Sequence, residues 1–131
     1  MGEEIAITFQ TLYDLLMREK QREELLELEP SFFQDVVQYL QEKVKVWEKV
    51  KQDNDLFSIG ESEKIESEIK SIRKVLRDLY ERREKKIIEF ALNRSRVGQG
   101  MGAAHLLDEE KHFFNAMVDV LDRYRRGTLM R

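Results

Sequence analysis

Cysteine is absent from this sequence, and its absence removes several kinds of chemistry at once. Without thiols the chain can form no disulfide, no thiolate zinc site and no cysteine nucleophile. The 131 residues also contain no apolar run near the roughly 18 residues that a membrane span requires. Residues 1–6 carry acids, whereas a signal peptide begins with basic and then apolar residues. We therefore expect a protein of the reducing cytoplasm.

Residues that break helices are rare. Proline occurs once, at Pro30, and the six glycines leave long uninterrupted segments between them. No segment shows the sustained alternation of apolar and polar residues that is typical of a half-buried strand. The sequence therefore predicts an all-α fold, an antiparallel helical bundle with one long central helix.

Three of the four predicted helices are of ordinary length. The first follows Thr8, which is a plausible N-cap. The second begins at Pro30, because the fixed φ of proline suits a first helical turn, and runs to about Lys51. The last begins at Asp108, with acidic residues in its first turn, and is expected to stop at Gly127.

The third predicted helix is the longest element. Ser58 and Glu61 have the spacing of a capping box, and no breaker follows them before Gly98. A helix of roughly 35 residues would be about 50 Å long, which exceeds the width of a compact domain of this size. We predict that residues 1–126 form one helical domain and that residues 127–131 begin a linker or tail.

The formal net charge of −3 conceals an uneven distribution. Residues 1–70 carry 9 basic and 17 acidic side chains, whereas residues 71–131 carry 14 and 9. The basic half could attract nucleic acid, or the two halves could simply pair with each other. The candidate phosphate contacts are Arg73, Lys74, Arg77, Arg82, Arg83, Lys85, Lys86, Arg94 and Arg96. A DNA-binding helical protein that uses this basic long helix is therefore one alternative function.

Four stretches of sequence together resemble a known family. They read LLELEPSFF at residues 25–33, LYERREKKII at 79–88, ALNRSR at 91–96 and LDEEKHFF at 107–114. In this order they resemble the helical domain of an archaeal GINS subunit, of the class that corresponds to the Sld-five and Psf-one subunits of eukaryotes. The most specific part lies between Tyr80 and Arg96, where an aromatic residue, paired basic residues and two isoleucines follow in fixed order.

The resemblance implies a non-catalytic structural subunit with no catalytic residues, no cofactor and no metal. It implies assembly with a second GINS subunit and further copies in a tetramer. Through that tetramer it implies contact with the MCM helicase and a Cdc-forty-five or RecJ-like protein during DNA replication, in the cytoplasm of an archaeon at replication forks of the nucleoid. Direct DNA binding is expected to be weak or absent.

Members of this class carry a small β domain after the helical domain. The sequence ends at Arg131, with four residues beyond the last predicted helix. We therefore expect either a shortened form of a longer subunit, without its β domain, or an atypical short member of the class, and we favour the first.

Surplus apolar residues indicate candidate subunit contacts. Phe113 neighbours Phe114, and Ile87 and Ile88 adjoin Phe90, so these helices carry apolar stripes wider than one packing partner needs. The interface candidates are Phe9, Tyr13, Tyr80, Arg83, Ile87, Phe90, Phe113, Val120 and Tyr124.

Catalytic patterns are weaker. Glu109 and His112 have the Glu-x-x-His spacing of di-iron bundles, but such a site needs a second copy of the motif. The glycines between Gly98 and Gly102 follow a helix and precede no lysine, so they predict a connector and not a phosphate loop. A helical-bundle enzyme of the chorismate mutase type is a further alternative, although the basic residues of residues 82–86 fall mostly off the apolar stripe.

Overall fold

The computed structural model describes residues 7–53, 55–98 and 103–128. Within these residues it contains four helices and no strand, and 81% of the residues are helical. The prediction of an all-α helical bundle is therefore confirmed. Over the same ranges, no helix combines the length and the apolar character needed to cross a membrane.

The described residues form two compact units. Unit 1 takes its residues from Met1–Met17 and Ser31–Leu79, and unit 2 takes its residues from Arg18–Pro30 and Tyr80–Arg131. The first and third helices contribute residues to both units.

The first two helices begin close to their predicted starts. Helix α1 spans Phe9–Lys20, and the Thr11 N–H donates to Thr8 Oγ1 at 3.1 Å, so the predicted N-cap is confirmed. Helix α2 spans Phe32–Lys51 and begins two residues after the predicted Pro30. Pro30 and Ser31 form a turn instead, a shift that is within the ordinary uncertainty of helix ends.

Helix α3 spans Leu56–Val97, a length of 42 residues. Its cap is Asp55, whose Oδ1 accepts the Ser58 N–H at 2.7 Å. The predicted capping box that begins at Ser58 is therefore wrong. Ser58 lies inside the helix and is buried, and Asp55 already caps the helix three residues earlier.

In unit 1, α2 and the first part of α3 form an antiparallel helical hairpin. Four residues separate them in sequence, and the Lys43 ammonium lies 2.7 Å from the Glu68 carboxylate, at similar distances along the chain from this connection. The buried apolar residues of the unit come from all three of its helices: Leu12, Leu16, Phe32, Val36, Ile65, Ile69, Ile72, Val75, Leu76 and Leu79.

Helix α4 spans Asp108–Thr128. Its predicted start is confirmed, but Gly127 lies within the helix and does not stop it. Glu110 Oε1 accepts the Leu107 N–H at 2.9 Å, which satisfies one of the free donors at the beginning of the helix.

Helix α4 runs parallel to the second part of α3. Arg83 bonds to Glu110 and Ser95 bonds to Asp122, and both pairs are separated by 27 residues. The antiparallel arrangement predicted for the bundle therefore does not extend to this pair. A connection of ten residues is long enough to return along α3, since extended chain spans more than twice the rise of a helix per residue.

The core of unit 2 contains a segment that is not helical. Leu25, from the stretch between α1 and α2, is fully buried against Ile87 and Ala91 of α3 and Phe114 of α4. Further half-buried apolar residues pack around these four: Phe90, Ala103, Leu106, Phe113, Met117, Val118 and Leu121.

Candidate functional site

Arg83 lies at the centre of a buried network of charges in unit 2, with 1% of its surface exposed. Its Nε and Nη2 each donate to the Glu110 carboxylate at 2.7 Å, and Nη1 donates to Glu19 Oε1 at 2.6 Å. Nη1 and Nη2 also donate to the carbonyl oxygens of Leu26 and His105, at 2.8 and 3.2 Å. These bonds use all five N–H groups of the guanidinium.

Lys86 completes the network one turn further along α3. Its ammonium donates to Glu19 Oε2 and to the Glu19 carbonyl oxygen, both at 2.6 Å, and to the Glu24 carbonyl oxygen at 3.0 Å. All three donors of the ammonium are therefore used. Glu19 Oε2 also accepts the Leu26 N–H at 3.0 Å. Two cations and two carboxylates balance in charge, as burial of ionised groups requires.

Electrostatics keeps Glu19 and Arg83 ionised. Burial raises the pKa of Glu19, but hydrogen bonds from Lys86, the Leu26 N–H and Arg83 outweigh burial and hold that pKa below its ordinary value of 4.5. Burial lowers the pKa of Arg83, whereas its bonds to Glu110 and Glu19 raise it by more, so the guanidinium stays charged. Both groups are therefore in the forms that attract each other.

The network joins three parts of unit 2 that are far apart in sequence. Glu19 lies in the last turn of α1, and the carbonyls of Glu24 and Leu26 belong to the stretch that follows α1. Glu110 belongs to the first turn of α4. Because every donor of Arg83 already has a partner inside the unit, these groups hold the backbone in place and have no donor left for a substrate. We interpret the network as structural support.

Two predicted interface residues are not at the surface. Arg83 and Ile87 were expected to contact another subunit, but both are buried inside unit 2. Arg83 and Lys86 were also expected to lie off the apolar stripe of the long helix. They instead continue its alternating steps of four and three residues beyond Leu79. This spacing in the sequence could have predicted that both residues are buried.

Five of the other candidates are exposed. Phe9 and Tyr13 stack on each other on α1, with ring centroids 6.2 Å apart, and Tyr80 is half exposed on α3. On α4, Val120 and Tyr124 are 61% and 63% exposed and lie one turn apart on the same face.

The last two interface candidates, Phe90 and Phe113, are half-buried. Both pack against the core of unit 2. Each therefore contributes to the core and leaves only part of its ring at the surface.

A further exposed apolar group was not predicted. Leu56 and Phe57, in the first turn of α3, are 88% and 80% exposed, and Ile59 is about half exposed. Counting back from Ile65 by seven residues reaches the buried Ser58, so these three residues lie off the buried stripe. That offset could have identified them from sequence.

The structure brings no further catalytic or metal-binding residues to Glu109 and His112 within the described residues. Glu109 and His112 are both exposed at the start of α4. In the described ranges, no three residues of the metal-binding types come together. Of the glycine-rich connector, only Gly98 is described. Its φ of 97° is the left-handed conformation that favours glycine, and residues 99–102 lie outside the described residues.

Comparison with known proteins does not place the chain in a family. No family model, no curated protein and no solved structure matches it.

Proposed function

We propose that this chain is a non-catalytic structural subunit of a GINS-type complex, of the Sld-five and Psf-one class. In this role its helices bind other subunits of a tetramer. That tetramer supports the assembly of the MCM helicase with a Cdc-forty-five or RecJ-like partner during DNA replication.

The observation that carries the proposal is the exposure of large apolar side chains on α1, α3 and α4. Val120 and Tyr124 form an exposed apolar patch on α4, and Leu56 and Phe57 form a second patch at the start of α3. Contiguous exposed apolar residues are typical of surfaces that another protein covers. A structural subunit uses such surfaces for its function.

The positions that carry the resemblance support the same proposal. Leu25, Ile87 and Phe114 belong to three separate stretches of it and share one core. Arg83 and Glu110, also from two of those stretches, form the buried ion pair. Residues that resemble a family in sequence therefore have a common structural role in this chain, which is expected when a resemblance reflects a shared fold.

Molar mass in solution tests the proposal directly. Light scattering would be measured for this chain alone, for a second GINS subunit from the same source, and for their mixture. We expect a larger stable species in the mixture than either protein forms by itself. Two components that keep their separate masses at micromolar concentration would contradict the proposal.

Two double variants locate the surface. Val120→Ser with Tyr124→Ser removes the apolar patch on α4. Leu56→Ser with Phe57→Ser removes the apolar patch on α3. At least one pair is expected to weaken assembly tenfold or more, because exposed aromatic anchors dominate binding energy. His112→Ser, an exposed substitution on α4, serves as the control. Far-UV circular dichroism shows whether each variant remains folded.

A further inference from the structure

A narrow groove lies between α2 and α3 in unit 1. Val44 and Trp47 of α2 and Ile69 of α3 provide its apolar wall, and Glu66, Lys70 and Arg73 lie along its α3 side. Its volume is about 170 Å³. A dry cavity of about 150 Å³ accepts benzene, so the groove has room for one planar ring.

Several basic side chains lie in or near this groove. The Lys51 ammonium lies 4.6 Å from the centroid of the Trp47 ring, a cation–π contact at the end of α2. On α3, Lys70, Arg73 and Arg77 follow at intervals of three and four residues and so lie along one edge of the helix. The charges of this edge are therefore spaced along a line beside the groove.

Most of these cations have no acidic partner among the residues that the structure describes. Lys70 lies 3.5 Å from Glu66, the acidic residue of the groove. Arg73 and Arg77 are exposed, and neither forms an ion pair or a side-chain hydrogen bond with the described residues. Their charges are available to an anionic ligand.

We propose that this groove binds single-stranded nucleic acid. One base enters the apolar groove beside Trp47, and the phosphates on either side contact Lys51, Lys70, Arg73 and Arg77. An aromatic ring next to a line of cations is the combination that proteins use to bind single strands without reading their sequence. An acidic peptide would satisfy the cations, but it would not by itself need an apolar groove beside them. This binding is separate from the proposed structural role.

Trp47 reports on this site directly, because it is the only tryptophan in the chain. The full chain would be titrated with oligo(dT) and, separately, with oligo(U), and tryptophan fluorescence would be followed. We expect quenching that saturates, and an affinity that falls steeply with added salt. A difference between the two oligomers would show which kind of strand the groove prefers.

A matched pair of double variants separates this site from general charge. Arg73→Ala with Arg77→Ala removes two charges beside the groove. Lys85→Ala with Arg96→Ala removes two exposed charges from the other part of α3. The first pair is expected to weaken binding at least tenfold and to reduce the salt slope by about 1.4, or about 0.7 per phosphate contact. The second pair is expected to change affinity less than threefold.

Three results would overturn the proposal: no quenching by either oligomer, equal losses in the two double variants, or quenching by poly-glutamate that is as strong as quenching by the oligomers. The last result would identify an acidic protein segment as the ligand. Trp47→Leu, followed by anisotropy of a labelled oligo(dT), provides a second readout. In that variant an unchanged affinity would also contradict base stacking at Trp47.

Discussion

Arg83 and Glu110 meet through two parallel hydrogen bonds, both 2.7 Å long. This two-pronged geometry is the strongest form of an arginine–carboxylate contact. Since Glu110 also accepts the Leu107 N–H, one carboxylate both caps α4 and binds α3. The pair therefore determines where α4 begins along α3.

Removal of the Arg83 charge is expected to be costly. In Arg83→Met the carboxylates of Glu19 and Glu110 stay buried but lose their shared cation, and a broken buried pair typically costs about 3–5 kcal/mol. Urea unfolding followed by circular dichroism measures the loss. Lys85→Met, an exposed change on the same helix, is expected to stay within about 0.5 kcal/mol of the parent chain. Equal stability of the two variants would show that the network contributes nothing.

The acid side of the stability profile is expected to depend on Glu19. Hydrogen bonds hold its pKa in the folded chain below the ordinary value of 4.5, so the unfolded chain takes up its proton first as the pH falls. The stability that this group contributes is complete above about pH 4.5 and is lost as the pH falls below it. Urea midpoints between pH 3 and pH 7 measure the effect.

Two variants isolate this contribution from the other acids. Glu19→Gln is expected to be less stable at pH 7 and to lose less further stability between pH 5 and pH 3. Glu23→Gln, an exposed neighbour, is expected to keep the slope of the parent chain. If Glu19→Gln also kept that slope, then Glu19 would not be the source of the stability that is lost between pH 5 and pH 3.

Periodicity predicted the helices well, because a buried stripe must repeat with the pitch of the helix. Ile65, Ile69 and Ile72 follow one another at steps of four and three residues, and all three are buried. The same spacing continues through Arg83, but charged residues are ordinarily exposed, so its burial was not predicted. Arg83 is buried only because Glu19 and Glu110 arrive from other segments to neutralise it. The sequence pattern of one helix does not show which residues of other segments will contact that helix.

The burial of Leu25 was hard to predict for a related reason. It lies in a non-helical stretch, so no spacing marks its inward face, and the backbone that carries it is held by Lys86 and Arg83 from another helix. The exposure of Leu56 and Phe57 was not predicted either, but the sequence did contain a signal for it, since both fall off the stripe of their own helix. Local patterns thus predict which residues lie off a stripe better than which distant segment covers it.

The start of α3 offers a test of local capping. Asp55 accepts the Ser58 N–H, so Asp55→Ala is expected to cause the loss of stability that is typical when an N-cap is removed. Asp55→Ser retains an acceptor and should recover most of it. Ser58→Ala, at the position first predicted as the cap, should cost less than Asp55→Ala. The opposite order in thermal unfolding would restore Ser58 as the cap.

Gly60 lies inside α3, and Gly98 directly follows the end of that helix. Substitution by alanine is expected to change the stability of the chain in opposite directions at these two positions. A Cβ added at Gly60 would meet nothing within 4 Å. Gly60→Ala is therefore expected to raise the free energy of unfolding by about 0.5–1 kcal/mol, because alanine restricts the unfolded chain and fits the helix. Gly98 also has open space, but its φ is 97°.

At Gly98 the backbone conformation decides the outcome. Alanine is disfavoured at this φ whatever the space around it, so Gly98→Ala is expected to destabilise the chain by about 1–2 kcal/mol. Parallel thermal unfolding of the two variants gives the comparison. If both raised the melting temperature, the left-handed end of α3 would be absent in solution. If both lowered it, Gly60 would be needed for a contact that the free space around it does not indicate.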